Sequence, residues 1–198
     1  MRESYPAVVP AAGRSYRMGT PKALLDAGGM SFLARVLTSL REGGAHPLLV
    51  VVRDREDPVA AEARTFGGEA ILNPDPSSGP ISSLQAGIRS LPEEAAAVLF
   101  APVDHPLFSP DTVRTLIRGY RETRAPLVVP ALDGWRGHPV LFGRSLFSEL
   151  LEDDLPDGAR TVVRRYLDER LQMAVDDPGI LSDIDTPEEY RKHFPRSP

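Results

Sequence analysis

Short apolar runs of strand length recur along this chain, each followed by a stretch of helical periodicity, and that alternation restricts the fold more than any other feature. The runs are Ala7 to Val9, Leu48 to Val52, Ala70 to Leu72, Ala96 to Ala101 and Leu127 to Val129. Their β-branched or continuous apolar content suits strands covered on both faces. Between them, Ser31 to Leu40 sets Phe32, Leu33, Val36, Leu37 and Leu40 on one stripe, and Pro58 to Phe66 and Ser82 to Leu91 fill the next two gaps. Ser109, a cap residue, followed by Pro110 and Asp111, reads as a helix start leading through Val113, Leu116 and Ile117. The pattern predicts a three-layer α/β/α fold, doubly wound around a mostly parallel, Rossmann-like sheet. After Pro130, His138 to Phe142 and Leu171 to Val175 read as further strands that extend the same sheet, with an antiparallel member among them. Helices near Gly143 to Leu151 and Arg160 to Asp168 are expected to form a lobe beside the ligand site. No linker, repeat or low-complexity segment breaks the chain, so residues 1–198 are expected to form one domain.

The first run empties into Ala11-Ala12-Gly13-Arg14-Ser15-Tyr16-Arg17-Met18-Gly19-Thr20-Pro21-Lys22. Ala11, Ala12 and Gly13 let the backbone approach a bulky ligand, and Arg14, Arg17 and Lys22 place three positive charges ahead of the first following acid, Asp26. In a chain of formal charge −5, a cationic loop at the carboxyl end of a first strand is where an α/β fold holds a nucleotide or another anion. A solvated basic loop would carry the same letters. The spacing is not that of a Walker A loop, since five residues separate Gly13 from Gly19 and Lys22 comes later still, and G-x-G-x-x-G is absent.

Carboxylates supply the second signal. Asp104, in Val103-Asp104-His105-Pro106, follows the run Ala96 to Ala101, which places it in the crevice at the carboxyl ends of the strands. A hard oxygen donor there suits Mg²⁺, which binds through one or two carboxylates plus substrate phosphates. An Asp capping the turn before Pro106 is the structural alternative. Asp183 and Asp185 flank Ile184, so in an extended segment both carboxylates face one side, an arrangement able to complete a Mg²⁺ site opposite Asp104. Thr186 and Pro187 then open a helix whose first turn carries Glu188 and Glu189.

Composition excludes several classes. With 41% hydrophobic residues the chain buries a sizeable core, yet no stretch reaches the length of an apolar membrane span, and no secretory leader is expected. The absence of cysteine removes disulfides and thiolate chemistry, so a metal must rely on oxygen or histidine ligands. A cytoplasmic location fits this. The acidic balance, with no basic patch interleaved by aromatics, argues against a nucleic-acid partner.

The stretch from Ala11 to Lys22 resembles, residue for residue, the A-A-G-x-S-x-R-M-G-x-P-K signature of the nucleotidyltransferases related to molybdopterin cytidylyltransferase. Asn73 to Gly87 is similar to the N-P-x-x-x-x-G-x-x-x-S-L-x-x-G motif of that family, Arg136 to Phe142 to its R-G-H-P-V-L-F, and Asp183 to Tyr190 to its C-terminal D-I-D-T-P-E-E-Y. The likeness keeps motif order from residue 7 to residue 190. It implies a nucleotide-diphospho-sugar-transferase-like fold and Mg²⁺-dependent transfer of a nucleoside monophosphate to a phosphorylated acceptor, with release of pyrophosphate. Residues 1–105 are then expected to serve mainly the nucleotide, and residues 106–198 the acceptor and the second metal ligand. By the same likeness Ala11, Ala12, Gly13, Arg14, Ser15, Arg17, Lys22, Gly79 and Ser83 hold the nucleotide, Lys22, Arg17 and Asp104 carry catalysis, Asp104 with Asp185 or Asp183 holds the metal, and His138 and Pro139 meet the acceptor. The A-A-G and P-K letters resemble the cytidine-specific branch, where A-G-G and D-K mark the guanosine-specific one, so CTP is the implied donor and molybdopterin the implied acceptor. Delivery of the product to a molybdoenzyme or its chaperone would follow. Three departures stand out: Pro10 in place of leucine, Val103-Asp104-His105 in place of Cys-Asp-Gln/Met, and Pro80-Ile81 in place of Met-Ser. They leave open GTP, a sugar or alcohol phosphate as acceptor, or a nucleotide-binding chaperone without catalysis.

Overall fold

A computed structural model of the chain describes residues 3–13, 20–76 and 79–195. Its centre is one eight-stranded sheet. Strands β1 (Ala7–Pro10), β2 (Leu48–Val52), β3 (Glu69–Leu72) and β4 (Ala97–Phe100) lie parallel in the order β3-β2-β1-β4. The order reverses between β1 and β4, so the loops leaving these two neighbours open side by side at one sheet edge, the usual ligand crevice of such folds.

Beyond β4 the sheet becomes mixed, with an antiparallel member as the sequence suggested for this half. Strand β5 (Leu127–Leu132) runs through a tight turn at Asp133 and Gly134, both with positive φ, into β6 (Trp135–Arg136). An Asp-Gly pair is the preferred chemistry for such a two-residue hairpin. Strand β7 (Val140–Gly143) then inserts antiparallel between β4 and β5, and β8 (Leu171–Ala174) adds parallel to β5.

Successive β residues alternate between two apolar layers. On one face Val9, Val50 and Leu99 pack with helices α1 (Phe32–Glu42), α2 (Pro58–Thr65) and α4 (Pro110–Thr123). On the other, Val8, Leu49, Val51 and Val98 meet α3 (Pro80–Arg89), α5 (Phe147–Leu150) and α6 (Ala159–Arg165). The helices start where their letters say: Ser31, Asp57 and Ser109 each accept a backbone N–H at the first turn. The last helix, α7 (Pro187–His193), opens with a capping box between Thr186 and Glu189. Tyr190 and Phe194 at its end stack on Phe32 of α1, with ring centroids 6.1 and 5.8 Å away, and the Tyr190 hydroxyl donates to the Asp26 carbonyl at 2.7 Å. That packing seats α7 on α1 and on the segment around Asp26. No helix among the described residues is long and apolar enough to cross a membrane.

Candidate active site

Three segments meet at the carboxyl edge of β1 and β4. The first is Ala11 to Gly13 with Pro21 and Lys22, the latter opening a short 3-10 turn over Lys22–Leu24. Arg14, Ser15 and Arg17, expected in the same loop, lie outside the described residues. The Ala11 amide donates to Val51 at 2.8 Å and the Ala12 carbonyl accepts from Arg53 at 3.3 Å, which ties the start of the loop to β2.

The second segment is the turn after β4, carrying Asp104 and His105. The third is the C-terminal stretch Ser182 to Thr186. Ile184, 2% exposed, anchors it in the core while Asp183 and Asp185 project outward, and the Ile184 amide donates to the Asp104 carbonyl at 3.0 Å. The expected alternation of side chains holds, although the stretch is an extended loop docked on the β4 turn and not a strand of the sheet. Two glycines make the docking possible. A Cβ on Gly179 would sit 2.0 Å from the Leu107 carbonyl oxygen, and one on Gly137 2.0 Å from that of Ile180. Asp177, 8% exposed, completes the anchor by accepting from Ser109 N at 2.7 Å, Thr112 Oγ1 at 2.5 Å and Gly179 N at 3.0 Å.

Convergence is direct. Lys22 Nζ lies 2.6 Å from Asp185 Oδ1 and 3.4 Å from Asp104 Oδ2, so a cation and two acids separated by 163 and 82 positions in the chain share one point. Ligand atoms of Asp104, His105 and Asp183 all lie within 4.8 Å of one another. Asp183 thus stands in that trio, while Asp185 turns to Lys22. Loss of water, then the neighbouring Asp104 and Asp185 charges, hold the Asp183 carboxyl above its ordinary range. Burial lowers His105. Oδ1 of Asp104 and Nδ1 of His105 are buried and carry no hydrogen bond to any described residue. Unsatisfied buried acceptors of this kind, in a set of two carboxylates and an imidazole, fit a divalent cation.

These groups line a cavity of about 530 Å³ that also includes Ala11, Ala12, Gly13, Gly79 and Ser83. Gly79 adopts φ of 78°, a conformation that a side chain would resist, just before α3. Asn73 Nδ2 donates to Ser82 Oγ at 2.9 Å and Ser83 Oγ at 3.1 Å, which fixes both hydroxyls at the start of α3, and of the two Ser83 lines the cavity. His138 lies on the same wall, its ring 4.6 Å from that of His105, and burial followed by the His105 neighbour depresses its pKa to about 4. Its neighbour Pro139 is buried and follows a cis peptide bond. The sequence reading left His105 without a role although it stands beside Asp104, and it set the helix of Arg160 beside the site without singling out Arg160, which also lines the cavity.

A mixed sheet flanked by helices, with a crevice of this build at its switch point, defines the nucleotide-diphospho-sugar transferase fold of nucleotidyltransferases. The chain belongs to the MobA-like NTP transferase family, whose domain profile matches residues 7–171. It is 32% identical to a molybdenum cofactor guanylyltransferase from Rhizobium meliloti, over 94% of this chain and 89% of that one. It is 31% identical to a nicotine blue oxidoreductase from Paenarthrobacter nicotinovorans, over 93% of this chain and 94% of that protein. A 37% identical stretch covers 59% of this chain but only 27% of the bifunctional IPC transferase and DIPP synthase from Rubrobacter xylanophilus, so the chain spans about a quarter of that protein. Among solved structures, Rv0371c from Mycobacterium tuberculosis superposes with a TM-score of 0.78 at 26% identity, covering 97% of this chain and 98% of its own, and it is also known in complex with manganese.

Proposed function

We propose that this protein transfers CMP from CTP to a phosphorylated acceptor, with molybdopterin as the first acceptor to test, and that it does so with Mg²⁺. The observation that carries the reading is the meeting of Lys22 with Asp104 and Asp185 in one cavity. Chemically, an acceptor phosphate oxygen forms a bond to the α-phosphorus, the bond from that phosphorus to its β-bridging oxygen breaks, and pyrophosphate leaves with the electron pair. No covalent enzyme intermediate is needed. The difficulty is electrostatic, because two anions must meet while charge grows on the leaving group, and fixed charges are the remedy.

Lys22 is held near the acids before substrate arrives, so its ammonium has only to exchange carboxylate oxygens for phosphate oxygens. Ala11, Ala12 and Gly13 allow close approach of the nucleotide, and Gly79 and Ser83 stand where its base and ribose would lie. Arg14, Ser15 and Arg17 are assigned to the triphosphate by their place in the motif. Asp104 and Asp183 are proposed to hold the cation, with the His105 imidazole beside them and Asp185 able to join when Lys22 releases it. When bound, the ion neutralises phosphate charge. His138 lines the wall toward the acceptor, whereas Pro139, assigned to the acceptor by its place in the motif, is buried and lines neither cavity. Residues 1–105 thus serve mainly the nucleotide and residues 106–198 mainly the acceptor. A molybdoenzyme or its chaperone would receive the product.

The cytidine preference is supported by Ala11-Ala12-Gly13 and Pro21-Lys22, whereas the guanylyltransferase relative makes GTP the necessary comparison. Pyrophosphate release is the decisive assay: it should require nucleotide, metal and acceptor together, be faster with CTP than with GTP, and vanish in Asp104→Ala. Unchanged turnover in that variant ends the proposal.

A further inference from the structure

Behind the nucleotide cavity lies a second one of about 650 Å³, between α3 and α6, and the two share Pro80, Phe100, Pro102, His138 and Arg160. Its walls are Ile81 and Leu84 from α3, Phe100 and Val140 from the sheet, Phe142 beneath them and Val163 from α6. Volume and apolar lining match a pre-formed small-molecule site. His138 also borders it, its ring centroid 4.6 Å from that of His105 and 6.3 Å, in an edge arrangement, from that of Phe100.

Arg160 is the one permanent cation among the described residues that line this cavity. Helix α6 carries two other arginines, and both are engaged: Arg164 pairs with Asp157, and Arg165 with Glu149 and Glu152. Arg160 makes no hydrogen bond or ion pair with any described residue. It stands where the apolar space opens into the cavity that holds Lys22 and Asp104. An arginine left unpaired at such a junction is suited to bidentate capture of a phosphate.

We infer that the space between α3 and α6 is the acceptor subsite, that it takes a phosphomonoester with a flat, weakly polar ring body, and that Arg160 grips the phosphate. The inference rests on the nucleotidyl-transfer reading above and moves its acceptor away from molybdopterin, whose pterin ring carries amide and amino groups that this wall would also leave unanswered. A sugar or polyol phosphate would bring hydroxyls against Ile81, Leu84, Val140 and Val163, where no side chain answers them, and each unanswered group is costly to bury. With the ring body inside and the phosphate on Arg160, the reactive oxygen points toward the nucleotide cavity.

Calorimetric titration of the full chain with 1-naphthyl phosphate tests this, with glucose 1-phosphate as the polyol comparator and CTP as the control for the neighbouring cavity. Naphthyl phosphate should bind at least about tenfold tighter than glucose 1-phosphate, and Arg160→Gln should weaken it by about tenfold or more. Val163→Trp, which fills the space from α6 and lies outside the neighbouring cavity, should abolish its binding and should bind CTP as the parent does. The inference is overturned if glucose 1-phosphate binds as tightly, if Arg160→Gln leaves naphthyl phosphate binding unchanged, or if CTP competes with the probe and Lys22→Met removes both. Retained naphthyl phosphate binding with no CTP or GTP binding would instead overturn the nucleotidyl-transfer reading and leave the subsite standing.

Discussion

Lys22 is the residue on which the site turns. Its ammonium, with a side chain only 11% exposed, stands between two carboxylates that would otherwise repel each other. Lys22→Met should therefore lower turnover by about 10²- to 10³-fold, the loss typical of removing one preorganised charge from a reacting phosphate or oxyanion. Steady-state pyrophosphate release at saturating nucleotide measures it. His138 yields a prediction about acid. Its imidazole titrates near 6.5 when the chain is unfolded and at about 4 in the fold, so the unfolded chain binds the extra proton first as pH falls. Stability from the neutral ring is present above pH 6.5 and is lost as pH drops from there toward 4, by roughly 3 kcal/mol in all. Urea midpoints at pH 7 and pH 5 should differ more in the parent than in His138→Gln, since only the parent carries this linkage. Equal slopes in the two proteins would show the ring to be charged in the fold.

At the scale of elements, the C-terminal loop is held by close packing and a buried carboxylate, and its position sets that of Asp183 and Asp185. Gly179→Ala would drive a methyl into the Leu107 carbonyl, so either the loop or the β4 turn must shift. We expect a loss of about 1–3 kcal/mol in unfolding free energy, together with weaker divalent binding, because the shift separates Asp183 from Asp104. Chemical denaturation and a Mn²⁺ titration of the same variant check both parts. The sequence suggested an extended segment here from the alternation around Ile184, and the side-chain directions agree. Gly137 and Gly179 carry no such mark in the chain, because a close backbone approach shows only when both partners are in place. The Asp133-Gly134 hairpin is the opposite case: its turn chemistry is local and legible, although β6 is too short to show as an apolar run.

For the whole molecule, the cavity takes its lining from both halves of the chain, so binding of the proposed nucleotide there should be felt in global stability. A ligand at a hundred times its dissociation constant adds about 2.7 kcal/mol to a protein that binds it only when folded. For a chain of this size that is a rise of roughly 5–10 °C in Tm. CTP with Mg²⁺ should give such a shift, GTP a smaller one, and CTP with chelator little. A melting curve indifferent to all four common nucleoside triphosphates would remove the donor from the proposal.

How far the letters reach follows from the range of the forces involved. Strand and helix positions, caps and the motif series from Ala11 to Tyr190 depend on local periodicity, turn chemistry and spacing, all of which are written along the chain. The place of β7 between β4 and β5, the seating of Asp183 beside Asp104 with Asp185 on Lys22, and the emergence of Arg160 between two cavities depend on contacts across tens to more than a hundred residues. Only packing of the sheet against its two helix layers brings those groups within a few ångströms, and it is at that distance that charge and hydrogen bonding begin to select a ligand.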